Sequence, residues 1–585
     1  MTGGSPGCAH TAVDVAATFC ATLVDEWYRA GVTDAVVAPG SRSTPLLLAL
    51  RADERLRLHV FVDERSAAFF AMGIGLATGT PAVVLTTSGT AAAELLPAVV
   101  EAHHAGVPLV ACTADRPPES QAIGAPQTID QSRLFGAAVR WRAEPGVPDA
   151  SVTSTWRSLA ARAVCEARGA SGRPGPVHLN LAFREPLVGK AGPLPPGRAG
   201  GTPWHQTARS PCSSAPATEL APLVSSRRGV IVAGAGSGDP EGVHRLAATL
   251  GWPVLADARS ACRRPDRTTV AAFDALLRHE HLAAALLPEV VLRTGAPPAS
   301  RVLADWLTTS GARQIAVETH GAWLDPGRTA SVVVAADPGR VCEALARCRP
   351  AASPAPWLGD WADAEAAAQR AIDAVLGCHR ETTEPAIARA LVDCLPPDTT
   401  LFVSSSMPVR DVEWFARPRG GVRVLANRGA NGIDGVVSTV LGAAASGTGT
   451  PTVGLLGDLA LLHDVGGLLG AGRRELDCVL VVVDNGGGGI FSFLPQAGAV
   501  AEDDFERLFT TPHGLDLAGL CRLHGLATCE TDQAAEIAPA VRAGLEAGGV
   551  NVVVARTAQR SSVGIHHEIH AAVAASLEAL GHRSD

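Results

Sequence analysis

Residues 453–459 read VGLLGDL, and residues 478–489 read CVLVVVDNGGGG. Each stretch is a short apolar run that ends in a polar side chain, Asp458 in the first and Asn485 in the second. Such runs predict buried strands of a parallel sheet, and ligands bind such sheets at the carboxyl ends of the strands. The sequence therefore predicts that Asp458 and Asn485 belong to one ligand site.

The chemistry of this pair indicates a metal site. A carboxylate, an amide oxygen and exposed backbone carbonyls are hard oxygen ligands, which suit a Mg²⁺ ion that also holds a diphosphate. The glycines at 486–489 would let the backbone approach phosphate oxygens closely. The alternative is an ordinary strand–turn–helix segment that uses its glycines for packing.

The rest of the chain repeats the pattern of apolar strands alternating with helices. Further predicted strands cover residues 34–37, 82–86, 109–113, 229–233 and 401–403. Segments rich in Pro, Gly and Ser at 186–216 and 349–356 predict linkers. We therefore expect an α/β protein of three doubly wound parallel-sheet domains, covering residues 1–190, 217–348 and 380–585.

Composition excludes several classes of protein. The chain has 585 residues, 47% of them hydrophobic and 18% charged, with a net charge of −9. This acidic balance argues against nucleic acid or an anionic membrane as the partner. The uncharged stretch 435–457 is broken by Gly, Ser and Pro, so we reject a membrane span. No signal peptide is expected, and 13 cysteines without a C-x-x-C pair indicate reduced thiols and a cytoplasmic location.

The metal-binding stretch resembles the signature of the thiamine-diphosphate enzymes, although Leu459 and Asp484 depart from its usual residues. The resemblance implies the cofactors thiamine diphosphate and Mg²⁺ (or Mn²⁺). It assigns the metal ligands to Asp458, Asn485 and the carbonyl of Gly487. Its further cofactor contacts fall on the following residues: Gly457, Leu459, Gly488, Ile490, Phe491 and Ser406.

The same resemblance gives a catalytic role to Glu64, in the stretch FVDERSA at 61–67. In these enzymes a buried glutamate hydrogen-bonds to a ring nitrogen of the cofactor's aminopyrimidine and promotes its activation. The alternative is that Glu64, beside Asp63, only complements the dipole of a helix N-terminus.

Four motifs narrow the resemblance further: APGSRSTPL at 38–46, TADRPPE at 113–119, GAPQTIDQ at 124–131 and NRGANGIDG at 427–435. Together they resemble the 2-succinyl-5-enolpyruvyl-6-hydroxy-3-cyclohexene-1-carboxylate synthase family of menaquinone biosynthesis. The resemblance implies decarboxylation of 2-oxoglutarate, followed by conjugate addition of the resulting succinyl-semialdehyde carbanion to isochorismate. It also implies a homodimer or a dimer of dimers, because the family's cofactor lies between subunits.

Substrates that carry several carboxylates need several guanidinium groups, which bind carboxylates in bidentate fashion and stay charged. Lys190 is the only lysine, so we expect arginines to bind the substrate carboxylates. The residues that match the family's substrate contacts are Ser41, Arg42, Arg116, Gln127, Arg301, Ser406, Arg410 and Arg428. The alternative for any single arginine is a surface or ion-pair role.

Two other functions remain open at this point. One is another thiamine-diphosphate carboligase or decarboxylase, such as an acetolactate-synthase-like enzyme, and the other is a non-catalytic cofactor-binding paralogue. The glycine-rich loop GAGSG at 234–238 is interpreted as a Rossmann-like remnant without a nucleotide. A zinc site at His566 and His570 lacks a third ligand.

Overall fold

The computed structural model describes residues 14–207, 217–557 and 559–581. The last part of the predicted linker, 208–216, and the first 13 residues of the predicted first domain lie outside the described residues. The chain divides into two compact units. The first comprises Met1–Ala208, Arg428–Thr448 and Asp464–Leu469, and the second comprises Arg209–Asn427, Gly449–His463 and Gly470–Asp585.

The first unit contains a six-stranded parallel sheet in the order β2-β1-β3-β4-β6-β5. Its strands are β1 (Asp34–Val37), β2 (Arg57–Val60), β3 (Ala82–Thr86), β4 (Leu109–Asp115), β5 (Trp141–Ala143) and β6 (Pro176–Ala182). Its helices are α1 (Val15–Arg29), α2 (Thr44–Ala52), α3 (Glu64–Thr78), α4 (Thr90–Ala93), α5 (Leu96–Ala105) and α6 (Thr153–Ala167). Strands β1, β3 and β4 are buried along their whole length, as expected of strands covered on both faces.

The second unit begins with another six-stranded parallel sheet, in the order β12-β11-β10-β7-β8-β9. Its strands are β7 (Gly229–Ala233), β8 (Val254–Ala256), β9 (Thr269–Val270), β10 (Val290–Thr294), β11 (Arg313–Glu318) and β12 (Ala330–Ala335). Its helices are α7 (Ala217–Val224), α8 (Pro240–Leu250), α9 (Phe273–Leu277), α10 (Glu280–Ala285), α11 (Arg301–Thr309), α12 (Pro338–Arg347) and α13 (Ala355–Cys378).

The third sheet also lies in the second unit and has the order β14-β13-β15-β16-β18-β17. Its strands are β13 (Thr399–Val403), β14 (Val422–Leu425), β15 (Thr452–Gly457), β16 (Cys478–Asp484), β17 (Ala527–Thr531) and β18 (Val550–Arg556). The helices in this part of the sequence are α14 (Glu384–Cys394), α15 (Met407–Phe415), α16 (Val436–Ala445), α17 (Asp458–His463), α18 (Gln496–Ala499), α19 (Glu502–Phe505), α20 (Leu517–Leu523), α21 (Ala534–Ala547) and α22 (Gln559–Gly581).

These three parallel sheets with flanking helices confirm the predicted fold class. Each sheet falls within one of the predicted domain ranges, whose boundaries stay a prediction. The central pair of the third sheet, β15 and β16, runs parallel with Gly457 opposite Val483. This register places Asp458, which follows β15, level with Asp484, the last residue of β16.

Helix α16 follows the third sheet's second strand in sequence but belongs to the first unit, where it packs on α3. The contact is close because small residues face backbone. A Cβ atom on Gly73 would lie 2.2 Å from the carbonyl oxygen of Thr439, and one on Gly442 would lie 2.1 Å from that of Phe70. The uncharged stretch at 435–457 thus forms α16 and β15. Across the described part of the chain, no helix has the length and apolar character needed to cross a membrane.

Two glycines of the glycine-rich loop after β7 pack closely against other protein backbone. A Cβ on Gly234 would lie 1.6 Å from the carbonyl oxygen of Ala296, and one on Gly238 would lie 2.6 Å from the nitrogen of Gly339. Backbone packing within the second unit therefore explains these two glycines, and the absence of a nucleotide stays a prediction.

A buried carboxylate joins α3 to α16. The Asp464 side chain accepts hydrogen bonds from the backbone N–H of Ser438 at 2.6 Å, the Ser438 hydroxyl at 3.1 Å and the Ser66 hydroxyl at 3.2 Å. Burial raises the pKa of Asp464 to about 6, because desolvation outweighs these three donors.

We predict a pH-dependent stability difference between the wild type and Asp464→Asn. The raised pKa means that the folded state holds this proton between about pH 4 and 6, where the unfolded state releases it. The wild type should therefore lose free energy of unfolding relative to Asp464→Asn as pH rises, by at most about 1.4 kcal/mol per pH unit. Urea unfolding between pH 4 and 7 measures this, with the exposed Asp503→Asn as control. Parallel pH profiles for all three proteins would contradict the prediction.

Candidate active site

Arg42 and Arg116 lie near one another at the carboxyl edge of the first sheet. Arg42 is only 6% exposed. Its Nη1 donates to the carbonyl of Phe183 at 3.0 Å, and its Nη2 pairs with the Glu185 carboxylate at 3.2 Å. Its buried Nε has no hydrogen-bond partner within the described residues. Burial, and then the charge of Arg116, lower the pKa of Arg42. A buried N–H without an acceptor beside a second positive charge is suited to an anionic ligand.

The loop at 124–131 is held against this pair of arginines. The Nε and Nη2 of Arg116 donate to the carbonyl of Pro126 at 3.3 and 3.1 Å. Gln127, the next residue, is exposed and has a φ of +52°. It lies over Gly89, where a Cβ atom would be 3.3 Å from the Cα of Gln127. Ser41 is exposed at the start of the turn before α2. The structure thus brings Arg42, Arg116 and Gln127 to one edge.

Glu101 on α5 is a residue that the sequence analysis missed. It is buried, and its carboxylate accepts the backbone N–H groups of Gly429 and Ala430, both at 2.6 Å. Burial raises the pKa of Glu101. These bonds fix the loop that carries Arg428, which is half-buried. Its one sequence signal is a carboxylate directly after the apolar run at 95–100.

Glu64 is the first residue of α3, just beyond β2. The N-cap residue Asp63 accepts the backbone N–H groups of Arg65 at 2.9 Å and Ser66 at 3.2 Å. The start of the helix therefore does not depend on the Glu64 side chain. Glu64 is half-buried, and within the described ranges no hydrogen bond or ion pair engages its carboxylate. That carboxylate is free to meet a ligand.

In the second unit, the Asp458 carboxylate is buried at the end of β15. Its Oδ1 accepts the backbone N–H of Leu459 at 2.6 Å, and its Oδ2 accepts that of Gly487 at 2.8 Å. Burial raises the pKa of Asp458. Among the described residues, no arginine or lysine pairs with Asp458 or with Asp484 at the end of β16.

His513 completes a cluster that the sequence analysis did not foresee. Its Nε2 lies 3.4 Å from Asp458 Oδ2 and 3.6 Å from Asp484 Oδ1. Its Nδ1 accepts the backbone N–H of Leu515 at 3.0 Å, so a neutral ring carries its proton on Nε2. Ligand atoms of the three side chains lie within 4.8 Å of one another. His513 comes from a loop 55 positions beyond Asp458, and no sequence pattern pointed to it.

Asn485, at the end of β16, presents its side-chain oxygen on the same edge. Its Nδ2 donates to the Glu384 carboxylate at 2.6 Å, and its Oδ1 accepts the N–H of Gly487 over a long 3.3 Å. The structure therefore brings together the two side chains that the sequence paired, Asp458 and Asn485, with Gly487 bonded to both.

The glycine run that follows is required by close approach to another loop. A Cβ on Gly487 would lie 2.2 Å from the carbonyl oxygen of Thr510, and one on Gly488 would lie 2.8 Å from that of Phe509. Gly487 also has a φ of +152°. Ile490 and Phe491 follow as half-buried residues, and the Phe491 ring lies 5.7 Å from that of Phe509. Packing thus accounts for these glycines, which agrees with the alternative that they serve packing in a strand–turn–helix segment. A role in binding phosphate stays a prediction.

The turn after β13 carries two further predicted residues. Ser406 has a φ of +74°, an unusual value for a residue with a side chain, and immediately precedes α15. Its carbonyl accepts Arg410 Nη1 at 2.6 Å, and burial lowers the pKa of Arg410. Arg301, at the start of α11, has a side chain that is 91% exposed and pairs with Asp305 at 3.6 Å. Nothing in its surroundings marks Arg301 as part of a site.

The donor set in the second unit fits a divalent cation bound together with a diphosphate. Two carboxylates and an amide oxygen lie on one edge, where no arginine or lysine of the described residues pairs with the carboxylates, and a buried negative charge needs a cation. In the first unit, the unengaged Glu64 carboxylate fits a ligand that offers it a hydrogen-bond donor or acceptor.

Comparisons with known proteins match this arrangement. A family model described as "Thiamine pyrophosphate enzyme, N-terminal TPP binding domain" matches residues 17–134. The "Middle domain of thiamine pyrophosphate" matches residues 198–403. The "Thiamine pyrophosphate enzyme, C-terminal TPP binding domain" matches residues 407–555. Together these matches span most of the chain and include Glu64, Asp458 and Asn485.

Several curated proteins are similar along almost their whole length. The 2-succinyl-5-enolpyruvyl-6-hydroxy-3-cyclohexene-1-carboxylate synthase of Chloroflexus aurantiacus is 44% identical, over 94% of this chain and 95% of that protein. The protein of the same name from Myxococcus xanthus is 43% identical, over 95% and 97%. That from Geobacillus kaustophilus is 41% identical, over 97% and 100%.

Proposed function

Because the chain belongs to the thiamine-diphosphate-dependent 2-succinyl-5-enolpyruvyl-6-hydroxy-3-cyclohexene-1-carboxylate synthase family, we propose that it decarboxylates 2-oxoglutarate and joins the remaining succinyl unit to isochorismate. The chain is a transferase that uses thiamine diphosphate. The observation that carries the substrate assignment is the buried Arg42 with its unpaired Nε beside Arg116, because both proposed substrates are carboxylates.

The cofactor, when bound, supplies the electron sink for loss of CO₂ and for formation of the new carbon–carbon bond. Asp458, Asn485 and the carbonyl of Gly487 hold Mg²⁺ or Mn²⁺ in this proposal. The half-buried Glu64 holds a proton between its carboxylate and a ring nitrogen of the aminopyrimidine. Its unengaged carboxylate supports that role.

The arginines bind and orient the substrates. The Arg42 and Arg116 guanidiniums receive substrate carboxylates, and Gln127 and Ser41 add polar contacts at the same edge. Arg410, Arg428 and Ser406 are the proposed contacts from the remaining motifs. Because the family has few other ionisable catalysts, orientation and electrostatic stabilisation by arginine carry much of the catalysis in this proposal.

Two further parts of the proposal rest on the family resemblance, and a third rests on composition. Arg301 is the proposed contribution of the middle domain, and its exposed ion pair with Asp305 would cost little to break. A homodimer or a dimer of dimers follows from the way the family shares its cofactor between subunits. The cytoplasmic location stays a prediction from the cysteine usage.

Turnover with defined substrates tests the reaction. We expect CO₂ release and the succinyl-transfer product from 2-oxoglutarate plus isochorismate, detected by mass spectrometry, and none with pyruvate in place of 2-oxoglutarate. Arg42→Gln should lower kcat/KM by about 10- to 100-fold, because a buried charged hydrogen bond is worth about 1.5–3 kcal/mol. Arg347→Gln, whose side chain is 70% exposed, is the control. Turnover with pyruvate alone would contradict the proposal.

Glu64→Gln tests the proposed proton position. The amide keeps the shape of the side chain but cannot exchange the proton, so kcat should fall by at least about 100-fold. The affinity for thiamine diphosphate, measured by titration of tryptophan fluorescence, should change far less. The exposed Glu94→Gln serves as the matched control. A Glu64→Gln enzyme with wild-type kcat would refute the role.

A further inference from the structure

We propose that Glu384 is a positioning residue for the metal site, whose carboxylate turns the side-chain amide of Asn485 so that Oδ1 faces the cation. This inference rests on the proposed function, because it takes Asn485 as a metal ligand. It concerns how this chain sets the orientation of that ligand before any cation binds.

The orientation follows from hydrogen-bond chemistry. An asparagine amide can present either its oxygen or its NH₂ group to a given neighbour, and only the surrounding partners decide which. The Nδ2 of Asn485 donates to Glu384 Oε1 at 2.6 Å. The NH₂ group must therefore face Glu384, which leaves Oδ1 on the opposite side of the amide. In the described part of the chain, Oδ1 accepts one long hydrogen bond, from the N–H of Gly487 at 3.3 Å, and keeps a lone pair for a cation.

Glu384 is itself held on several sides. It is 3% exposed and is the first residue of α14, whose N-cap Thr383 accepts the N–H of Ala386. Its second oxygen, Oε2, accepts the hydroxyl of Ser562 on α22 at 2.8 Å. Both carboxylate oxygens are therefore engaged, and the side chain has no freedom to swing away from Asn485.

The network continues away from the metal site through His566. Its Nδ1 lies 2.6 Å from the carbonyl of Ser562, and its Nε2 lies 2.7 Å from Asp411 Oδ1 on α15. Both partners can accept from a ring N–H group, and the charge of Asp411 outweighs burial and raises the pKa of His566. A protonated ring offsets part of the negative charge of the two buried carboxylates, Asp411 and Glu384. The ring of Phe493 packs against it at 4.9 Å.

A simpler role for Glu384 is a negative charge at the start of α14, favourable to the helix dipole. Two substitutions separate this role from positioning. Glu384→Gln keeps the length of the side chain, and its amide can accept from Asn485 and donate to Ser562, but it loses the charge. Glu384→Asp keeps the charge at the helix start but withdraws the carboxylate by one methylene, beyond hydrogen-bond reach of Asn485.

The test is Mn²⁺ affinity of the full-length protein in the presence of thiamine diphosphate, measured by electron paramagnetic resonance. Loss of an outer-shell partner typically weakens metal binding by about 10- to 100-fold, and we expect this loss in Glu384→Asp. Glu384→Gln should stay within about threefold of the wild type. The matched control is Glu365→Asp, since Glu365 is also a buried carboxylate and accepts two backbone N–H groups, those of Ala271 and Ala272.

The relative Mn²⁺ affinities of the two Glu384 variants decide the inference. Wild-type affinity in Glu384→Asp, or a larger loss in Glu384→Gln than in Glu384→Asp, would overturn it. Asp458→Ala separates this failure from failure of the proposed function. If Asp458→Ala binds Mn²⁺ as tightly as the wild type, the proposed metal site is wrong whatever the Glu384 variants do.

Discussion

A buried carboxylate without a fixed positive partner is the constraint on which the site in the second unit depends. Asp458 is 3% exposed, and the described arginines and Lys190 all lie out of ion-pair reach of it. Burying a charge alone costs several kcal/mol, so the arrangement is stable only if a proton or a cation shares the site. Asp484 increases this demand, because it brings a second carboxylate to the same edge, 3.6 Å from His513 Nε2.

The surrounding structure places further oxygen ligands beside Asp458. Parallel pairing of β15 with β16 brings the ends of the two strands to one level, and the loop at 486–489 then bends back over that edge. Glycine is needed there because Thr510 and Phe509 approach where side chains would otherwise be. The same edge therefore collects Asp458, Asn485 and a backbone carbonyl, which is what a cation with a bound diphosphate requires.

The first unit shows the opposite electrostatics. The whole chain carries a net charge of −9, yet Arg42 and Arg116 lie close enough for one to lower the pKa of the other. Two guanidiniums gain from sharing a region only when an anion binds between or beside them. The overall acidity of the sequence therefore concealed a local basic site, which only the motifs around these arginines could indicate.

The sequence predicted what depends on local pattern. Short apolar runs located β15 and β16, and the polar residues at their ends located Asp458 and Asn485. The roles of Glu384 and Glu101 were not predicted, because their hydrogen-bond partners lie 101 and about 330 positions away in the sequence. Sequence periodicity does not indicate such distant contacts. For the same reason the sequence did not foresee that α16 belongs to the first unit. The apolar residues of α16 predicted that this helix is buried. Its small residues allow close packing on α3, but the sequence does not indicate which helix they pack against.

The most direct measurement of the central claim is a crystal structure of the protein with thiamine diphosphate and Mn²⁺, with the metal located by anomalous scattering. Our account predicts one peak on this edge within about 2.3 Å of an Asp458 carboxylate oxygen, Asn485 Oδ1 and the Gly487 carbonyl oxygen. A peak held instead by Asp484 and His513 without Asn485, or no peak beside Asp458, would contradict it.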